Sequence, residues 1–138
     1  MEWRIFFEPD GSRVTVTVTG AARVDGFRPY LEALLGDPAW RAGTPVLVDF
    51  RGLDIGQLNF AAAEQVLAVH LPYVARIGKS PIAVVVSRPV DFGMMRMWGG
   101  LSDGKFPVPQ IFYEAADALR WLNTPGPGDS GGSADGSP

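Results

Sequence analysis

Three short apolar runs constrain this chain more than any other feature: residues 46–50 (VLVDF), 82–87 (IAVVVS) and 108–113 (VPQIFY). Each leads into a stretch with helical spacing, at 60–76, at 91 to about 103 and at 114–122. A strand that is apolar on both faces must be covered on both faces. Strands of this kind alternating with helices therefore predict a parallel sheet wrapped by its own crossovers. Right-handed crossovers follow from the general chirality of such units.

The N-terminal part has a different rhythm. Residues 3–8 and 13–19 are β-prone runs separated by the turn sequence PDGS, which predicts a hairpin. In the second run Val14, Val16 and Val18 alternate with Thr15, Thr17 and Thr19, so one face is core and the other partly wet. Asp25 then stands as the cap of a helix whose Phe27, Tyr30, Leu31 and Leu34 share a stripe, with Pro29 placed in its first turn. The expected architecture is α/β: a mixed five-stranded sheet opening with a β-hairpin, and about four helices. The last stretch, NTPGPGDSGGSADGSP, has no large apolar side chain to offset its ordering entropy. A domain over 1–122 and a disordered tail over 123–138 are expected.

Composition removes several function classes. With no cysteine, there are no disulfides, thiolate metal sites or thiol nucleophiles. A net charge of −3 argues against nucleic-acid binding, which needs a basic face. No segment approaches the roughly 20 apolar residues of a membrane span. The acidic start MEWRIFFEPDGS lacks the pattern of a secretion signal, so a cytoplasmic protein is expected.

The methionine-rich run DFGMMRMWGGL at 91–101 raises the main question about a site. At about 100° per residue Met94, Met97, Trp98 and Leu101 share a core-facing stripe. Phe92 and Met95 fall off that stripe and, beside Gly99, form a candidate patch for a partner or an apolar ligand. On the preceding helix the expected stripe is Phe60, Ala63, Val66, Leu67, Leu71 and Val74. His70 lies within its arc, reading first as a hydrogen-bonded edge-of-core residue and second as a pocket residue. Pro72 predicts a bend, because it cannot donate to the carbonyl of Ala68.

Open sheets gather ligands beyond the carboxyl ends of their parallel strands. Those ends deliver Asp49, Arg51, Ser87, Arg88, Tyr113 and Glu114, with Asn59 as an N-cap, so Arg51 and Arg88 near a helix N-terminus could hold an anion. The candidate surface is thus Arg51, Asn59, Arg88, Phe92, Met95 and Arg96, with His70 at a pocket. No phosphate loop, metal cluster or acid–base pair is present in the sequence, and neither an enzyme nor a cofactor is expected. The GDSGG of residues 128–132 matches a serine-protease motif, but it lies in a Gly/Ser/Pro segment without the strands such an enzyme needs.

In order and spacing, Asp37–Trp40 (DPAW), 46–51 (VLVDFR), 82–86 (IAVVV), 92–97 (FGMMRM), Ile111-Phe112 and 115–122 (AADALRWL) resemble the SpoIIAA-like superfamily, and within it the divergent STAS/Sec14-like branch. The resemblance spans roughly residues 3–122. It implies a short superhelix of strand–helix units and, for the anti-sigma-factor antagonists, a phosphorylated serine opening the helix after the third strand. The matching stretch here, 55–60 (IGQLNF), has neither serine nor threonine, so the phospho-switch is not implied for this chain.

Two functional readings follow. One is a non-catalytic regulatory module docking on a protein partner, or on a second copy of itself, through Phe92, Met95 and the loop from Arg51 to Asn59. It predicts exposed apolar residues and a filled interior. The other is a carrier or sensor of a small apolar molecule or lipid, which predicts an enclosed apolar pocket of at least about 300 Å³.

Overall fold

The computed structural model describes residues 1–56, 58–102, 104 and 109–124. Five strands form one sheet in the order β1-β2-β3-β4-β5. Strand β1 (Glu2–Phe7) runs antiparallel to β2 (Val14–Ala21), with Glu2 opposite Thr19 and Phe7 opposite Val14. The turn between them closes through Gly11 N–H donating to Glu8 O at 2.9 Å, and Gly11 adopts φ 77°, which suits glycine and few other residues. The remaining pairs, β2 with β3 (Val46–Asp54), β3 with β4 (Ile82–Val85) and β4 with β5 (Gln110–Phe112), are all parallel. Val108, expected in the last strand, lies outside the described residues.

Parallel neighbours in sequential order with right-handed crossovers must carry all their connecting helices on one face. That face holds α1 (Val24–Leu35), α2 (Phe60–His70), a 3₁₀ turn (Leu71–Tyr73) with the short α3 (Val74–Ile77), and α4 (Pro89–Ser102). The main core lies beneath them, built from Val14, Val16 and Val18, Val46, Val48 and Phe50, Val84 and Val86. On the opposite face α5 (Ala115–Asn123) packs Ala118 and Leu122 over Leu47, Ala83 and Val85. The mixed five-stranded sheet and its N-terminal hairpin match the expectation from the sequence, as do four helical segments once α2, the 3₁₀ turn and α3 are taken as one broken helix.

Several local details differ. Helix α1 begins at Val24, with Arg23 at the cap, and Asp25 sits inside the first turn forked to Arg23 (3.0 and 3.1 Å). Pro29 therefore lies in the second turn, not the first. Asn59 does cap α2, accepting from Ala62 N–H at 2.8 Å. The break at Pro72 is real: α2 stops at His70 and continues as the 3₁₀ turn. That change of period swings Leu71 into solvent. Phe60, the first residue of α2, stands beyond the sheet and is 55% exposed, so neither is a core residue. Helix α5 runs one residue past the expected boundary, and the GDSGG segment lies outside the described residues.

Candidate functional site

The carboxyl end of the sheet brings together the residues that the parallel-strand rule selects. Arg51 turns back on Asp49: Nε donates to Oδ1 at 3.0 Å and Nη2 to Oδ2 at 2.9 Å. These bonds hold the Asp49 carboxyl below the usual carboxylate range. Arg88 grips Asp91 in the same fork, with Nε to Oδ2 and Nη2 to Oδ1 both at 2.9 Å, and its Nη2 also reaches Asp54 Oδ1 at 3.3 Å. Those partners, Asp91 foremost, raise the guanidinium pKa further. Each guanidinium thus already has the chain's own aspartate as counter-charge, so an anion at Arg51 or Arg88 would compete with Asp49 or Asp91. The Arg88–Asp54 contact ties the end of β3 to the start of α4.

Asp91 is the residue that sequence reasoning missed. It is 1% exposed and occupies the innermost position of the first turn of α4. The inward arc of α4 is accordingly the buried Asp91 and Met95 with the partly buried Met94 and Trp98 packed on the core, spaced i, i+3, i+4 and i+7. Met95 is 9% exposed and belongs to the main core, so it is not the outward docking residue expected. The reason is that the helix is rotated about one position from the stripe drawn through Met94, Met97, Trp98 and Leu101. Met97 is half-buried, and of Leu101 only the backbone is described. Phe92 is half-buried too, packing on the core and stacking on Tyr113 at 5.1 Å between centroids with planes 16° apart.

Beside the half-exposed Arg51 and Arg88, this end also exposes large apolar side chains. Val90 is 53% and Tyr113 is 45% exposed, and Phe60 projects at the head of α2. Among the described residues no three acidic or histidine side chains come together as metal ligands.

His70 lies away from this rim, at the far end of α2. Its Nδ1 is 2.8 Å from Val66 O, its ring meets Trp98 edge-on at 4.8 Å, and Phe27 lies 5.8 Å away. Burial pushes its pKa below the ordinary value. His70 and Trp98 line an inner cavity of about 120 Å³ that runs under the helices, with Phe27, Tyr30, Met94 and Met95 among its walls. The interior is therefore not completely filled, yet the space is well below that of a lipid-sized pocket. A second space, a groove of about 330 Å³, lies outside between α4 and β5 and is lined by Phe92, Met95, Arg96, Gly99, Gly100, Pro109, Gln110 and Ile111.

No family model and no curated protein matches the chain. Among solved structures it is similar to an uncharacterized protein of the DUF3478 family with a SpoIIAA-like fold from Shewanella loihica PV-4. The two are 19% identical, the match covers 88% of this chain and 92% of the other, and the TM-score is 0.57. The chain has the SpoIIAA-like fold.

Proposed function

We propose that this SpoIIAA-like domain, of the STAS/Sec14-like kind, is a non-catalytic regulatory module of the cytoplasm that docks on a protein partner through the carboxyl-end rim of its sheet. One observation carries the reading: at that rim Arg51 and Arg88 are bound to the chain's own aspartates, while Val90, Tyr113 and Phe60 face outward. Such a face offers contact area rather than reacting groups, and aromatic anchors of this type dominate interface energies. The missing hydroxyl in 55–60 fits docking without a phospho-switch at that position. Phe92 supports the surface from behind, through its stack on Tyr113. A carrier of a bulky lipid is less well supported, because the inner space is about 120 Å³ where ligand pockets run from about 300 Å³.

The test replaces Val90 and Tyr113 together with aspartate. Both side chains are exposed, so circular dichroism and the melting temperature are expected to stay near wild type. Quantitative capture from host lysate, with sedimentation velocity to follow self-association, is expected to show loss of the partner or of the dimer. A burial site for two unpaired carboxylates is costly. Undiminished capture and unchanged sedimentation by the folded variant would remove the rim as the docking face.

A further inference from the structure

Met95 and Pro109 line both the inner cavity and the outer groove. The Met95 side chain therefore divides the apolar interior from the groove between α4 and β5. Methionine is unbranched and changes rotamer readily, so this partition can yield without breaking any backbone hydrogen bond.

The two spaces differ in chemistry. The inner one is walled mainly by carbon, from Phe27, Tyr30, Met94 and Trp98. The groove carries a cation. Arg96, exposed and next to Met95 in sequence, makes no hydrogen bond or ion pair with any described residue, unlike Arg51 and Arg88. Gly100 follows one turn on and leaves the groove open beside it, since a Cβ there would meet nothing within 4 Å.

We propose that cavity and groove together form one site for a medium-chain carboxylic acid, its carboxylate held by Arg96 and its chain passing Met95 into the interior. Size sets the chain length. The inner space of about 120 Å³ is somewhat smaller than the ~150 Å³ cavity known to take up benzene or xenon. It accepts a short chain end and not a long acyl tail, while the groove holds the remainder. Charge sets the head group. A guanidinium matches a carboxylate with two parallel bonds, and a phosphate would bring a second negative charge to a groove with a single cation among its described lining. This inference is independent of the docking rim, since neither Val90 nor Tyr113 lines either space.

Titration calorimetry of the full chain with octanoate and with 1-octanol tests it. Octanoate is expected to bind about three- to tenfold more tightly than the alcohol, the range for a partly exposed charge-assisted contact. Arg96→Gln, at an exposed position, is expected to erase that advantage and leave octanol binding unchanged. Met95→Phe, checked for folding by circular dichroism, is expected to weaken both probes; where it does not fold, Arg96→Gln alone decides. Equal binding of the two probes, or octanoate binding untouched by Arg96→Gln, overturns the carboxylate assignment. Binding of neither probe overturns the site altogether, without bearing on the docking rim.

Discussion

A carboxylate with 1% of its surface exposed persists only where something neutralises it, and for Asp91 that is the Arg88 fork. The two partners are unequal in one respect: Arg88 is half in solvent, whereas Asp91 is enclosed. Removing the arginine leaves a buried carboxylate unpaired. Removing the aspartate leaves a cation that still has Asp54 and water. Arg88→Met is therefore expected to destabilise more than Asp91→Asn, which is expected to cost about 1–2 kcal/mol, both read from urea unfolding at pH 7. Equal losses would show that Asp91 is held by its surroundings and not by Arg88. The pair also explains a limit of legibility. Periodicity counts apolar residues, so a buried aspartate registers as a solvent position and turns the inferred face of its helix. With Asp91 taken as polar, the arc falls on Met94, Met97 and Trp98; with Asp91 inside, it falls on Met94, Met95 and Trp98. The candidate patch at Met95 rested on that difference.

Helix α4 is where intrinsic propensity and observed structure pull apart. Three glycines, Gly93, Gly99 and Gly100, lie within its 14 residues, and each costs roughly 0.5–1 kcal/mol relative to alanine in a helix interior. Close packing does not demand them all, since a Cβ at Gly93 or at Gly100 would meet nothing within 4 Å. Gly93→Ala and Gly100→Ala are each expected to stabilise the protein by about 0.5–1 kcal/mol, and nearly additively because the sites are two turns apart. Thermal melts of the singles and the double check this. Destabilisation by either would mean that α4 needs a local departure from helical geometry which only glycine allows. The neighbouring α2 shows the opposite case, in which one residue was enough to read the outcome. Pro72 cannot donate an N–H, and the helix gives way to a 3₁₀ turn just before it. The resulting displacement of Leu71 was not legible, because the period is lost at the same place where it would be needed.

At the scale of the molecule the topology was legible and the site only in part, for the same physical reason. Burial on both faces writes itself into the runs VLVDF and IAVVV as continuous hydrophobicity, and the hairpin into PDGS with the Val/Thr alternation. The inner cavity has no such signature, since it depends on how far α1 and α4 stand from the sheet. The composition of 125–138, with no apolar side chain larger than alanine besides proline, argues that a chain ending at Thr124 melts within about a degree or two of the full chain; a fall of about 5 degrees would place part of the domain beyond that point. The most global expectation belongs to His70, whose ring is enclosed by Phe27 and Trp98 beside the cavity. Burial disfavours the imidazolium, so the folded pKa lies below the unfolded value of 6.5. Between those two values the unfolded chain binds more protons than the folded one, and stability must fall as pH falls. The contribution of neutral His70 is thus complete above pH 6.5 and is lost progressively below it, by about 1.4 kcal/mol for each unit of depression, until the folded pKa is passed. Unfolding free energies measured from pH 7.5 to 5 are expected to decline in the wild type and to decline less in His70→Gln, which carries no titrating ring. Parallel curves for the two proteins would show that the ring takes up its proton without cost, and that His70 faces water rather than the core.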